Sequence, residues 1–311
     1  MPQQRPHFLD PQTALLLTLP PLFWAGNAVV GRLMVGQIPP LALSFYRWFF
    51  ALAIALLIVG PDLWRNRALF FRHWKSLAVM GILGVGSYNS LQYVALETTT
   101  PLNVSLITSS APVFILLIGG AFYKQAVGRA QWIGALLSIA GVALVVAKGD
   151  LAHLAALHFA PGDLIMLFAV FFWAIYTWEL RQRPLGLAPM TSLAAQMIWG
   201  VLSILPFMLA ERWIGGETTH WGGPVWLALA YVAVLPSLLA YWCWGSAVGK
   251  VGAQIPAYFG NLAPLFAALL SWLFLGETIH WYHLWAALLI FAGIHVALNT
   301  PKQPVPLEQE L

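Results

Sequence analysis

Polar and aromatic side chains recur at helical spacing within the long apolar runs of this sequence. Trp24 and Asn27 lie three residues apart and Tyr88 and Gln92 four apart, so the members of each pair share one face of a helix. Amide and indole groups are costly in apolar surroundings unless they find hydrogen-bond partners. The spacing therefore predicts a polar surface that recognises a small molecule.

The candidate substrate-binding residues extend this pattern along the chain. They are Trp24, Asn27, Arg47, Tyr88, Gln92, Ser109, Trp173, Tyr176, Gln196, Tyr241, Trp244, Tyr258 and Asn261. A serine in an apolar helix also bonds its own backbone, and a tryptophan deep in a helix also packs between helices, so both alternatives stay open for these residue types. Arg47 has two interpretations: it attracts a substrate carboxylate, or it caps carbonyl groups of neighbouring helices.

No arrangement of side chains in the sequence indicates catalysis. His280 and His283 lie three residues apart but lack the HExxH pattern of a zinc site, and Cys243 is the only cysteine. No nucleophile has a base at a spacing that would activate it. We therefore predict no metal site, no cofactor and no enzymatic activity.

The composition is that of a membrane protein. Hydrophobic residues make up 60% of the 311 residues and charged residues 8%, whereas soluble proteins carry about 25% charged residues. The net charge of +4 comes from 15 basic residues spread over short loops, which form no patch for nucleic acid. We predict membrane lipid and a small-molecule substrate as partners, no nucleic acid, and no requirement for an oligomer.

Ten apolar runs are long enough to cross a bilayer, which takes about 20 residues of helix. The predicted spans are 12–36, 40–60, 73–96, 101–123, 128–147, 161–181, 189–210, 223–249, 251–275 and 280–299. With the N-terminus in the cytoplasm, eleven of the 15 basic residues fall on the inner side, and three, Arg32, Lys148 and Arg212, fall on the outer side. This asymmetry predicts that both tails, 1–11 and 300–311, are cytoplasmic.

The two halves of the sequence resemble each other. Ala111–Phe114 (APVF) recurs 152 residues later as Ala263–Phe266 (APLF), and the FWA of Phe23–Ala25 recurs as Phe172–Ala174. Each half holds five predicted spans, and because five is odd, the second half enters the membrane in the opposite direction. The sequence thus predicts two inverted repeats. They cover residues 12–148 and 161–299.

Pro112 and Pro264 occupy equivalent positions in two of the apolar runs. Proline removes one backbone hydrogen bond, at a cost of about 3 kcal/mol in a helix interior, and hydrocarbon offers no water as a replacement. A single proline of this kind is commonly a packing kink. A matched pair beside Ser109 and Asn261 instead predicts two helix breaks that line a wet cavity.

These features resemble the EamA-type drug/metabolite transporters, with the closest likeness to YddG-type amino-acid exporters. The resemblance rests on the repeated FWA motif, Arg47 in the second span, the prolines of spans four and nine, and the AG pairs of spans five and ten. It covers residues 12–299 and implies ten helices, with spans five and ten supporting a central cavity. It also implies export by alternating access in a bacterial inner membrane. One departure is Gln125, which stands at the repeat equivalent of Glu277.

No Asp or Glu lies at the centre of a predicted span. Proton- and cation-driven exporters usually need a carboxylate in the membrane, so the absence of one from the span centres favours facilitated export, while Asp163 and Glu179 lie near the ends of the sixth span. The aromatic and amide side chains favour amino acids, aromatic and other neutral ones above all, or related metabolites. The alternatives are a drug or cation exporter driven by proton antiport and, in a different class, a channel or a non-transporting membrane scaffold.

Overall fold

The protein is all-α in every part that the structure describes. The computed structural model describes residues 10–155, 158–215, 218–275 and 278–299, and all regular secondary structure in these ranges is helical. The predicted tails beyond these ranges, and Glu277, lie outside the described residues.

The helices follow one another with short connections. In chain order they are α1 (Pro11–Ala25), α2 (Asn27–Leu33), α3 (Pro40–Arg65), α4 (Arg67–Arg72), α5 (Trp74–Met80), α6 (Tyr88–Thr98), α7 (Pro101–Thr108), α8 (Ala111–Tyr123), α9 (Arg129–Val146), α10 (Leu151–Ala155), α11 (Pro161–Gln182), α12 (Pro189–Gly215), α13 (Gly223–Ala233), α14 (Ala240–Val251), α15 (Gln254–Gly260), α16 (Ala263–Leu275) and α17 (Trp281–Leu298). Two π-helical stretches, Gly81–Ser87 and Val234–Leu239, join α5 to α6 and α13 to α14.

Eight helical segments of the described chain are long and apolar enough to cross a membrane. They are Pro11–Leu33, Pro40–Arg65, Pro101–Tyr123, Arg129–Val146, Pro161–Gln182, Pro189–Ile214, Gly223–Val251 and Trp281–Leu298. Gln254–Leu270 is a shorter apolar helix. The predicted span 73–96 is helical but is not among the eight, because it carries polar residues such as Asn89 and Gln92. The predicted number of ten spans is therefore not confirmed.

Two predicted boundaries differ from the structure by a few residues. The first predicted span, 12–36, corresponds to Pro11–Leu33, which divides at Gly26 into α1 and α2. The predicted connection at Lys250 instead lies at Gly252, whose φ of 91° suits glycine and stops α14.

At the start of α1, Asp10 accepts the backbone N–H of Thr13 at 2.9 Å, and the hydrogen bonds from Thr13 lower the pKa of Asp10.

The helix breaks at matching places in the two halves. Ser109–Ser110 separates α7 from α8, and Asn261–Leu262, 152 residues later, separates α15 from α16. Pro112 and Pro264 are each the second residue of the new helix. In the first turn of a helix a missing N–H costs little, so each proline starts a helix after a break instead of straining a continuous one.

Helices α9 and α17 pack together through small residues. A Cβ added to Gly134 would lie 2.7 Å from the carbonyl oxygen of Gly293, and one added to Gly141 would lie 2.8 Å from that of Ala286. Residues 134 and 286 are 152 apart, as are 141 and 293, so each contact is the repeat equivalent of the other. This is the self-complementary pattern of a two-fold interface.

We expect Gly293→Ala to destabilise the protein by about 1–3 kcal/mol, through overpacking. A Cβ at position 293 would lie 2.4 Å from Oγ of Ser138 and 2.6 Å from the carbonyl of Gly134. Gly245→Ala is the matched control, because a Cβ there meets nothing within 4 Å. Thermal unfolding in detergent should show a lower Tm for Gly293→Ala and an unchanged or higher Tm for Gly245→Ala. Equal Tm values would contradict close packing of α9 on α17.

Candidate functional site

A cavity lies between the two helix breaks. Its volume is about 720 Å³, a size that suits a small organic molecule. Its lining includes nine of the predicted residues. They are Trp24, Asn27, Tyr88, Gln92, Ser109, Trp173, Trp244, Asn261 and Pro264.

The deep end of the cavity is aromatic. The rings of Trp24, Trp173 and Trp244 contact one another, with centroid distances of 5.4, 5.4 and 5.0 Å, and Tyr88 lies 4.9 Å from Trp173. Trp24 and Trp173 are the two equivalent FWA tryptophans, so the repeated motif meets itself here. Nε1 of Trp244 is buried and has no hydrogen-bond partner among the described residues.

The two helix breaks meet in the cavity wall. Nδ2 of Asn261 donates to the backbone carbonyl of Ser109 at 3.3 Å, which joins equivalent residues of the two halves. The side chain of Ser109 bonds the carbonyl of Leu106 at 2.6 Å, so it is bound to its own helix.

The prolines leave backbone carbonyls without a helical partner. Pro112 and Pro264 have no N–H to donate four residues back, to the carbonyls of Thr108 and Gly260. Both of these residues line the cavity. Pro264 itself lines the cavity, whereas Pro112 is buried behind the wall.

Arg47 lies behind the cavity wall and not in it, since its side chain is 0% exposed. Nη1 donates to Oδ1 of Asn27 at 2.9 Å and to the hydroxyl of Tyr93 at 2.8 Å. Nη2 donates to the carbonyl of Pro236 at 3.0 Å, and Nε donates to the hydroxyl of Ser237. All the observed hydrogen bonds of Arg47 join helices, which agrees with its structural interpretation, and contact of Arg47 with substrate stays a prediction.

The π-helical stretches expose carbonyls that tie the two halves together. The carbonyl of Gly84 accepts the hydroxyl of Tyr241 at 2.8 Å, and that of Pro236, 152 residues later, accepts Nε1 of Trp24 at 2.9 Å as well as Arg47. π-Helical turns are common at functional sites. These stretches were not predicted from the sequence. The residues in the sequence that could have indicated an irregular helix are Gly81, Gly84 and Gly86 in the first stretch and Pro236 in the second.

Four further predicted residues do not line the cavity. Tyr241 and Tyr176 are not lining residues: the hydroxyl of Tyr241 donates to the carbonyl of Gly84, and the ring centroid of Tyr176 lies 5.1 Å from that of Trp173. Gln196 lies on α12, with Nε2 bonded to Ser192 at 3.1 Å. Tyr258 donates to the carbonyl of Gln131 at 2.9 Å. The hydroxyls of Tyr241 and Tyr258 bond between helices, whereas Gln196 bonds within α12.

The cavity is open at one end and closed at the other. Lys148, Thr278 and His280 line its exposed end. The lining of α9 begins at Val142, and beyond it the start of α9 is packed, where Nε2 of Gln131 donates to Oε1 of Gln254. An 18-residue helix such as α9 is about 27 Å long, so the two ends lie on opposite sides of the molecule.

A second contact on that side of the molecule joins two more helices. Nε1 of Trp178 donates to the carbonyl of Ile115 at 2.8 Å, across α11 and α8. Among the described lining residues there is no Asp or Glu, and the basic side chains are Lys148, His280 and His283 at the open end. The described residues also contain no cluster of three His, Cys, Asp or Glu that could hold a metal ion.

Comparison with known proteins places this geometry in a family. The pattern of the EamA-like transporter family matches residues 12–147 and 160–299. A protein of Archaeoglobus fulgidus, named an uncharacterized transporter, is 30% identical over 95% of this chain and 99% of its own length. A probable amino-acid metabolite efflux pump of Salmonella typhimurium is 26% identical over 88% of this chain and 90% of its own.

Two further comparisons agree. The probable amino-acid metabolite efflux pump of Escherichia coli is 25% identical over 91% of this chain and 93% of its own. A solved protein crystal structure has the same fold, with a TM-score of 0.72 at 21% identity, over 92% of this chain and 96% of that one. The family match covers most of the chain, and the described helices include many long enough to span a membrane. This chain belongs to the EamA-like transporter family and is a multi-pass membrane transporter.

Proposed function

We propose that this transporter exports amino acids, aromatic and other neutral ones above all, or related small metabolites, across the bacterial inner membrane by alternating access. The observation that carries the proposal is the cavity, with its aromatic deep end, neutral amide groups and no carboxylate among its described lining residues. The names of the Salmonella and Escherichia relatives, probable amino-acid metabolite efflux pumps, support the same substrate class. With both termini cytoplasmic, the open end faces the periplasm.

The proposed architecture is ten spans in two inverted repeats, 12–148 and 161–299. The segment from α5 to α6 is the third span in this scheme, and its polar residues are those that line the cavity. The matched helix breaks and the reciprocal contacts of α9 with α17 support the inversion. The π-helical stretches support it too, because they end 152 residues apart, at Ser87 and Leu239.

Inversion predicts a second gate at the open end. In inverted repeats one gate is closed where its equivalent is open. The closed-end residues Gln131 and Gln254 have equivalents 152 residues away at His283 and Leu102, and both of these line the open end of the cavity. We therefore expect Leu102 and His283 to approach each other when the cavity opens to the cytoplasm.

The second closing contact has equivalents of the same kind. Ile115 corresponds to Ala267 at the offset of 152, and Trp178 corresponds to Val29 at the offset of 149 that relates the FWA motifs. Val29 and Ala267 also line the cavity. Both contacts of the closed end thus have equivalents in the wall of the open one, which supports alternating access over a permanently open channel.

The charges of the cavity disfavour an exporter of organic cations. Arg47 lies buried behind the wall, and Lys148 lies at the open end. A positive charge in a low-dielectric environment acts over longer distances than it does in water, so it repels cations and attracts anionic groups. A neutral zwitterion with an apolar side chain fits both this potential and the tryptophan rings.

Transport should not require a pH difference. Proteoliposomes with equal pH inside and outside are expected to take up labelled phenylalanine down its concentration gradient, saturably, because no described lining residue is a carboxylate that could couple substrate to protons. Protein-free liposomes are the control. Uptake that appears only with an imposed pH difference would show proton coupling and would refute the facilitative mechanism.

A further inference from the structure

The buried guanidinium of Arg47 fixes the direction of a chain of amide hydrogen bonds. A guanidinium has only donors, so Nη1 of Arg47 meets the oxygen of Asn27, at 2.9 Å. The nitrogen of Asn27 then donates to the oxygen of Gln92, at 2.7 Å. This leaves Nε2 of Gln92, a lining residue, as a donor with no acceptor among the described residues.

Asn89 presents the opposite polarity from the same helix. The hydroxyl of Tyr241 uses its proton on the carbonyl of Gly84, at 2.8 Å, so Nδ2 of Asn89 must donate to that hydroxyl, at 2.7 Å. Oδ1 of Asn89 is left as an acceptor without a donor in the described part of the chain, and Asn89 also lines the cavity. Residues 89 and 92 are three apart, so they are neighbours on one face of α6.

The charge of Arg47 has no described counter-ion. It bonds neutral oxygens only, those of Asn27, Tyr93, Pro236 and Ser237, and no described carboxylate forms a salt bridge with it. Hydrogen bonds in a chain polarise one another in a low-dielectric environment. The donor end of Gln92 is therefore the part of the wall best suited to an anionic group.

We propose that Asn89 and Gln92 bind the two charged groups of an amino-acid zwitterion: the ammonium at Oδ1 of Asn89 and the carboxylate at Nε2 of Gln92. Arg47 acts as a positioning residue through Asn27. An α-amino acid carries both groups on one carbon, which matches a donor and an acceptor one helical turn apart. This inference rests on the proposed function and adds to it the polarity of substrate binding.

Three ligands separate the two groups. Phenylalanine carries both charges, 3-phenylpropionate only the carboxylate, and 2-phenylethylamine only the ammonium. Binding of each to the purified full-length protein is measured by isothermal titration calorimetry. The wild-type protein is expected to bind phenylalanine at least about tenfold more tightly than either analogue, as each hydrogen bond to a charged group contributes about a factor of ten.

Near-isosteric variants then test each residue. Gln92→Glu replaces the cavity-facing donor by an acceptor, so the affinity for phenylalanine and for 3-phenylpropionate should fall by about tenfold or more. The affinity for 2-phenylethylamine should stay unchanged or rise. Asn89→Leu should lower the affinity for phenylalanine and for 2-phenylethylamine and leave the affinity for 3-phenylpropionate unchanged. Gln125→Glu is the matched control, because it makes the same substitution at an exposed loop residue away from the cavity.

Arg47→Gln tests the positioning role. We expect this substitution to weaken the binding of phenylalanine and 3-phenylpropionate, which carry a carboxylate, because Nε2 of Gln92 is no longer polarised. The binding of 2-phenylethylamine should not change. A merely structural role for Arg47 would weaken all three ligands alike. If Arg47→Gln does not fold, the Gln92→Glu and Asn89→Leu variants still decide the proposal.

The outcomes are distinguishable. Opposite ligand selectivity in Gln92→Glu and Asn89→Leu supports the assignment, and misfolding cannot produce it. Equal loss of all three ligands in both variants, or wild-type binding of phenylalanine no tighter than that of the analogues, would overturn the assignment while leaving the amino-acid function in place. If the wild-type protein bound none of the three ligands, the proposed function would fail for aromatic substrates, independently of any variant.

Discussion

Transport should fall by more than about tenfold when residues 131 and 254 are crosslinked, because the closed end of the cavity can then no longer open. Gln131 and Gln254 are hydrogen-bonded there, so cysteines at both positions are within reach of a short, cleavable bis-methanethiosulfonate reagent. Cys243→Ala, which removes the only native cysteine, provides the background. Uptake of labelled phenylalanine into proteoliposomes is the measurement, and reductant should restore it.

Two controls distinguish gating from damage. Each single cysteine, treated with the same reagent, should transport normally, and so should a crosslinked pair at 62 and 66, which lie one turn apart at the end of α3. The equivalent pair at 102 and 283 should crosslink more slowly while the cavity is open at that end, and should then also block transport. Full transport with 131 and 254 crosslinked would contradict alternating access through this end.

Removing either proline should lower transport severalfold without lowering stability. Pro112→Ala and Pro264→Ala return an N–H that can bond the carbonyl of Thr108 or of Gly260, so we expect an unchanged Tm or one raised by a gain of about 0.5–1.5 kcal/mol. The same bond removes a free carbonyl from the cavity wall and stiffens the break. Initial uptake rates and thermal unfolding are measured on the same preparations.

The control proline lies in another helix. Pro206→Ala changes a proline inside α12, which does not line the cavity, and should leave the transport rate unchanged. Normal transport by both Pro112→Ala and Pro264→Ala would mean that the prolines only accommodate packing. A large fall in Tm for either would contradict the view that each one merely starts a helix after a break.

Much of the cavity could be predicted from the sequence because its signals are local. Trp24, Trp173 and Trp244 lie too deep in apolar runs to serve as interfacial anchors, and the duplicated APVF motif locates both helix breaks. An amide in an apolar segment needs partners wherever the helix packs. Residue type and depth were therefore enough to select Gln92 and Asn261.

Contacts between distant parts of the chain could not be predicted. Spacing along a helix does not say which neighbouring helix a face meets, so the sequence did not predict that Tyr258 bonds Gln131 and lies outside the cavity lining. The hydrogen-bond partners of Arg47 could not be predicted for the same reason, because one of them, Ser237, lies 190 residues away in the sequence.

The π-helical stretches were also beyond sequence reasoning. The carbonyls of Gly84 and Pro236 accept side chains from the opposite half of the protein, and that pairing depends on tertiary packing and not on local preference. Asn89 had a detectable signal, since it lies three residues before Gln92 on the same helix, but it was left out of the candidate set.

Counterflow of labelled phenylalanine tests the proposed transport function most directly. Proteoliposomes loaded with excess unlabelled phenylalanine are placed in a trace of labelled phenylalanine, and internal label is followed with time, with other amino acids or cationic dyes added as competitors. An alternating-access amino-acid exporter predicts transient accumulation of label above equilibrium, inhibited by neutral amino acids and not by the dyes. Linear uptake without accumulation would indicate a channel, no uptake would indicate a scaffold, and inhibition by the dyes alone would indicate a cation exporter; each of these results would contradict the proposal.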